Sequence, residues 1–182
     1  MKTFFYKLFA VCLIFGATAT SLSAQSPFTK ESHVIHLGLG LGGYSFSGYS
    51  STPVFSVAYD QGIIDDLGIG NLGIGGAIGV KHYTYKPSFS DTKYSYNRIF
   101  IGARAHYHFH FVNSDNFDFY AGVMAGAFFW TGDTDFGGLG YSTSVSPGAF
   151  AGINYFFNDT FGVYAEAGYG LGLLNGGLSI NF

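Results

Sequence analysis

Charge is the first thing this sequence has little of. Only 8 Lys or Arg and 11 Asp or Glu occur in 182 residues, 10% of the chain. No basic run or patch appears among them, which excludes nucleic acid as an expected partner. Cysteine is reduced to one residue, Cys12. Long apolar runs are also missing: no stretch of about 18 residues has the length a membrane-spanning helix needs. What remains in abundance is glycine, 28 residues, and aromatic side chains, 20%. Low charge without helical spans leaves two architectures to weigh, an apolar secreted β-sandwich and a transmembrane β-barrel.

The N-terminus has the pattern of a secretory signal. Lys2 and Lys7 form a positive region, an apolar stretch follows to about Ala19, and Ser21-Leu22-Ser23-Ala24 places small residues before Gln25. Residues 1–24 are therefore expected to be cleaved, leaving residues 25–182 as one domain. Cys12 lies inside the discarded segment and follows Val11 rather than the small residue of a lipoprotein signal. The mature chain is thus expected to use neither disulfides nor thiolate chemistry. Removing Lys2 and Lys7 leaves six basic residues against eleven acidic ones.

Period-two alternation runs through nearly all of the mature chain and predicts eight strands. They fall at 33–43, 53–60, 69–85, 94–111, 117–130, 143–157, 160–170 and 174–182. Turn-like connections are expected at Gln61 to Gly68, Val112 to Asn116, and Asn158-Asp159. Longer polar ones are expected at Tyr44 to Thr52, Lys86 to Lys93, and Thr131 to Ser142, with a short fourth near Leu171 to Leu173. Such alternation of short and long connections matches periplasmic turns opposite extracellular loops.

The two faces of the strands differ in a way that separates the two architectures. In the fourth, Ile99, Ile101, Ala103, Ala105 and Tyr107 share one face, while Arg98, Phe100, Gly102, Arg104 and His106 share the other. Asp60, Lys81, Arg98, Arg104, Asp118 and Glu166 all have the parity of the glycine-rich face in their own strands. An Arg or Lys turned to the bilayer midplane costs about 2–4 kcal/mol, so a barrel must turn its charges inward. A soluble sandwich would turn them out. Aromatic residues gather near both rims: Tyr59, Phe109, Phe111, Phe117, Phe119, Tyr155, Phe157, Phe161 and Phe182 at one, and Tyr83, Tyr85, Tyr94, Tyr96, Phe129, Trp130 and Tyr141 at the other. These are expected to form two interfacial girdles.

The chain ends Gly177-Leu178-Ser179-Ile180-Asn181-Phe182, alternating apolar residues with a terminal aromatic. With the signal segment and the eight strands, this resembles the small outer-membrane β-barrels of the OmpA and OmpX type in Gram-negative bacteria. The resemblance implies an all-β fold, a single eight-stranded antiparallel up-and-down transmembrane barrel with its N-terminus in the periplasm. It implies that Leu178, Ile180 and Phe182 form a C-terminal assembly signal read by the barrel-assembly machinery. It further implies outer-membrane lipids as surroundings and a monomer.

An eight-stranded barrel has an interior just wide enough to be filled by side chains. Phe100, Tyr120, Phe128, Phe150, Phe156 and Tyr164 beside inward glycines predict a packed lumen rather than an open porin-like channel. Lys81, Arg98, Arg104, Asp118 and Glu166 are expected to close a lumen charge network, since buried charges persist when paired. His106, His108 and His110 project from one strand face at about 7 Å spacing. They are read as lumen histidines hydrogen-bonded to Asp118 or water, with metal binding the sharper alternative. No catalytic, cofactor-binding or metal site is assigned. His82 and Thr84 share the lipid-facing parity of a lipid A-modifying enzyme, without a neighbouring serine or carboxylate, so His82 is read as an interfacial residue. Gly38-Leu39-Gly40-Leu41-Gly42-Gly43 has no following helix and is not a nucleotide loop. Thr131-Gly132-Asp133-Thr134-Asp135 lacks the further ligands of a calcium loop. The expected role is structural or surface interaction. The alternative is passage of a small apolar solute across the outer membrane.

Overall fold

The computed structural model describes residues 27–43, 49–87, 93–111, 114–132 and 143–182. The signal segment with Cys12, Tyr141 and the Asp133 and Asp135 positions lie outside them. The described chain is all β: β1 (His33–Leu41), β2 (Tyr49–Ser51), β3 (Val54–Ile64), β4 (Gly70–Tyr85), β5 (Tyr94–Phe109), β6 (Phe117–Gly132), β7 (Ser144–Phe156), β8 (Phe161–Tyr169) and β9 (Leu174–Asn181).

Every pairing is antiparallel, and consecutive long strands lie side by side from β3 to β9. β1 pairs with β3 on one side and β9 on the other, which closes the sheet into a barrel. Closure removes the free sheet edges that would otherwise leave backbone groups unpaired in lipid. Since β2 and β3 both pair with β4, they form one interrupted stave, and the barrel has the eight staves expected.

Two details differ from the expectation. The Tyr44 to Thr52 stretch contains β2, which continues the second stave towards the loop end. Pro53 lacks the N–H that a continuous ladder needs. At the break Thr52 substitutes: its N–H donates to the His82 carbonyl at 3.0 Å, and its Oγ1 accepts from the His82 N–H at 3.2 Å. The second difference is that β3 persists to Ile64, past the expected turn start at Gln61, through a bulge between Gly62 and Ile64. The reversal is then made where Asp66 and Gly68 have positive φ, 53° and 73°.

Burial confirms the inward parity of the strand charges. Asp60, Lys81, Arg98, Arg104, Asp118 and Glu166 are all buried, whereas Ile101 is 50% exposed and Val123 61%. The core is the lumen itself, where Phe100, Tyr120, Met124, Phe128 and Phe150 pack together with Ala58 and Ala77. This inside-out distribution, apolar without and charged within, is the one a hydrocarbon surround favours.

Only one of the two expected girdles faces outward. At the turn end, ring contacts run through Phe109, Phe111, Phe119, Phe117, Tyr155 and Phe157. At the loop end, Phe129 alone of the described set is an exposed outward ring. Tyr83 is 1% exposed and packs on Trp130 at 5.6 Å between centroids. Tyr83 opposes Tyr96, Tyr85 opposes Tyr94, and Trp130 opposes Arg98. These positions share the parity of Lys81 and Arg98, so their rings line the mouth rather than the lipid face.

Candidate functional site

The turn half of the lumen holds a closed ring of polar side chains drawn from five strands. His36 of β1 uses Nε2 towards Asn154 Oδ1 on β7 at 3.0 Å. Asn154 Nδ2 donates to Asp118 Oδ2 on β6 at 2.9 Å. Asp118 Oδ1 accepts from His108 Nδ1 on β5 at 2.7 Å. His108 Nε2 meets His106 Nδ1 at 2.7 Å. His106 Nε2 then lies 3.1 Å from Asp60 Oδ1 on β3, and Asp60 Oδ2 lies 3.2 Å from His36 Nδ1. Ser179 of β9, fully buried, donates to Asn154 Oδ1 at 2.9 Å.

Arg104 joins this ring to the middle of the barrel. Its Nε lies 3.1 Å from Asp60 Oδ1, and its Nη1 donates to Glu166 Oε2 at 3.4 Å. Glu166 Oε2 also accepts from the Tyr120 hydroxyl at 3.5 Å. The Arg104 guanidinium rests 4.1 Å from the centroid of the Phe150 ring. A planar, weakly hydrated cation stacked on an aromatic suits burial better than an ammonium would.

A lid closes the ring at the turn end. Phe28, 1% exposed, stacks on His108 with 3.7 Å between centroids and 6° between planes, and meets His106 edge-on. Its carbonyl accepts from Asn71 Nδ2 at 2.6 Å. Thr29 N–H donates to Ser32 Oγ at 2.9 Å, and Lys30 N–H to Asp65 Oδ1 at 2.7 Å. Glycine makes the seat possible. A Cβ at Gly62 would fall 1.9 Å from the Thr29 carbonyl oxygen, and one at Gly73 would fall 2.3 Å from His106 Cε1.

The expected network is thus divided by position. Arg104, Asp118 and Glu166 lie in the turn half and middle with the ring. Lys81 and Arg98 stand opposite one another on β4 and β5 in the loop half. There Lys81 Nζ donates to the Gly42 carbonyl at 3.3 Å, and Arg98 stacks at 3.5 Å on Phe128. They line a recess of about 20 Å³, enough for about one water molecule. Of the three histidines, His106 and His108 enter the ring. His110 lies beyond the end of β5, where alternation stops, and its N–H donates to the Ile69 carbonyl. Leu178 and Phe182 are exposed, alternating with inward Ser179, and the Phe182 ring stacks near His33 at 5.8 Å.

Asp60, His36, Asn154, Ser179 and Phe28 are the members that the sequence reading left out. Asp60 carried a signal, since its inward parity was visible. His36 and Asn154 likewise alternate with lipid-facing neighbours, Leu37 and Tyr155. Phe28 precedes the first strand and carries no periodicity. Among the described residues, no three His, Cys, Asp or Glu side chains are grouped so as to hold a metal. On the outside, His82 Nδ1 meets Asn97 Oδ1 at 2.9 Å, and its Nε2 meets Thr84 Oγ1 at 3.4 Å.

No protein-family model and no curated protein sequence matches the chain. Among solved structures, the chain is similar to the crystal structure of Ail, the attachment invasion locus protein of Yersinia pestis, in complex with the heparin analogue sucrose octasulfate. The identity is 16% and the TM-score 0.49, over 82% of this chain and 93% of that one.

Proposed function

We propose that this chain is an integral outer-membrane barrel with a sealed lumen, serving envelope structure or surface interaction and not conduction or catalysis. The observation that carries this reading is the filled interior. Phe100, Tyr120, Phe128 and Phe150 occupy the middle of the lumen, the polar ring and Phe28 occupy one end, and rings crowd the other. Among the described residues, the loop-end recess beside Lys81 and Arg98 holds about one water, too little for an apolar solute. At the exterior, His82 is engaged by Asn97 and Thr84 rather than by a carboxylate that would orient a catalytic imidazole.

In this proposal the turn end and N-terminus face the periplasm, and the barrel acts as a monomer delivered by the assembly machinery. The decisive experiment is conductance of the refolded barrel in planar lipid bilayers, with heat-modifiable gel migration confirming closure. No stable conductance step is expected. Steady steps from correctly folded protein would overturn the sealed lumen, and uptake of an apolar solute lost on deletion would favour passage instead.

A further inference from the structure

We propose that the outer face of β2, β4, β5 and β6 at the loop end is a docking wall for a phosphorylated sugar headgroup, that of an outer-leaflet glycolipid of the lipid A class. This rests on the outer-membrane placement proposed above. Outward side chains form rows across neighbouring strands, and the rows change character towards the loops. Phe55 opposes Val80, Val80 opposes Ile99, and Ile99 opposes Phe129, which makes the last apolar row. Next comes His82 opposite Asn97 opposite Thr131, and then Ser50 opposite Thr84 opposite Ser95. Tyr85 and Tyr94 are the last pair of the β4–β5 ladder; Lys86 and Lys93 flank it with the outward parity, and both are exposed. Ser50 joins this face through a slip of one residue at Pro53, since Phe55 opposes Val80 but Ser51 opposes Tyr83. Unbroken pairing would turn Tyr49 outward, whereas it stacks on Tyr85 at 4.8 Å.

The wall is one-sided. Across the barrel the outward rim ends in apolar residues, Leu41 opposite Leu174, both exposed. Hydroxyl, amide and imidazole groups are costly to bury among acyl chains, so the two polar rows belong in the headgroup layer. Strands stand about 4.8 Å apart, so four staves give a wall about 14 Å wide. A glycerophospholipid would bring one phosphate to the lysines and leave the rows beneath without matching groups. A phosphorylated sugar supplies both, phosphate for Lys86 and Lys93, and hydroxyl and amide groups for Thr84, Ser95, Asn97 and Thr131. Charge complements this choice. Among the described residues, the exposed acids Glu31, Asp65, Asp66, Asp115 and Asp159 all lie at the turn end, away from a phosphate held at the wall.

The test refolds the barrel in detergent micelles carrying equal amounts of lipid A and phosphatidylglycerol, and reads the retained lipid by native mass spectrometry. Wild type is expected to retain lipid A in preference to phosphatidylglycerol. Lys86→Gln with Lys93→Gln should lower lipid A retention about tenfold, the scale of two surface lysines against an anionic lipid. Thr84→Val with Thr131→Val keeps the side-chain shapes and both lysines; it should reduce the preference for lipid A and leave phosphatidylglycerol retention unchanged. Lys30→Gln, at the turn end, should alter neither. Equal retention of the two lipids by wild type would overturn the docking wall, as would an unchanged preference in both wall variants. Where a double variant fails to close, its two single variants are read in its place. Heat-modifiable gel migration reports closure separately, and its absence from wild type would overturn the barrel placement on which the wall depends.

Discussion

Phe28 and His108 lie face to face, 3.7 Å between ring centroids and nearly parallel, at the turn end of the lumen. One ring arrives from the segment ahead of the first strand, the other from the far end of β5. The pair converts an open polar mouth into a covered one. Three separate devices secure it, the Asn71 hydrogen bond to the Phe28 carbonyl, the Asp65 bond to Lys30, and the glycine seat at Gly62 and Gly73.

Phe28→Ala is therefore expected to destabilise the barrel by about 3 kcal/mol, at the low end for removing a buried phenyl group. Urea unfolding in lipid vesicles measures this directly. A loss smaller than about 1 kcal/mol would show that the lid adds nothing to stability.

Arg104 serves two carboxylates, Asp60 and Glu166, and all three are buried. Replacing it with Met keeps much of the stem but strands both acids. The expected cost is about 3–5 kcal/mol, the range for removing one partner from a buried ion pair. Glu166→Gln should cost less, because Asp60 still holds the guanidinium. If the two variants unfold at the same urea concentration as wild type, the pairs are not what holds the lumen charges.

Two glycines on the strands that flank β5 offer a contrast of close approach against open space. A Cβ at Gly126 would lie 2.5 Å from the Ile101 carbonyl oxygen and 2.6 Å from Phe100 Cζ. At Gly76 the nearest atom would be 3.5 Å away. Gly126→Ala is expected to cost about 1–3 kcal/mol through overpacking, and Gly76→Ala less than about 0.5 kcal/mol. Equal stability of the two variants would count against the tight packing of the Phe100 ring.

Ile101 sits midway along β5 on the outer face, 50% exposed. Ile101→Arg should cost about 2–4 kcal/mol in a bilayer if that face meets hydrocarbon. The same substitution measured in vesicles and found neutral would place the outer face somewhere other than a membrane core.

Strand identity and facing were legible because alternation is a local property, and it is cleanest in β5 and β6, where charges and glycines share one face. The break at Pro53 was the weaker case, since the ladder survives there through Thr52, a contact no propensity encodes. The loop-end girdle went wrong for a different reason. Nearness to a rim puts Tyr83 and Trp130 among the girdle aromatics, while their parity with Lys81 and Arg98 turns them inward. The polar ring was only partly visible. Its members could be placed on the inner face, but their meeting depends on registers between strands far apart in the chain, such as His36 with Asn154. Phe28 left no trace, because a lid ahead of the first strand has no period to read.

The seam between β1 and β9 gives the ring a second consequence. His36 sits directly across that seam from Ser179, and both reach Asn154, two strands from Ser179 and three from His36. A slip of one residue at closure would turn one of the two side chains out to the acyl chains and break its bond to Asn154. Register at the closing seam is thus written in polarity: a barrel zipped up out of step would carry its error as a polar group exposed to acyl chains, and the correct step hides it.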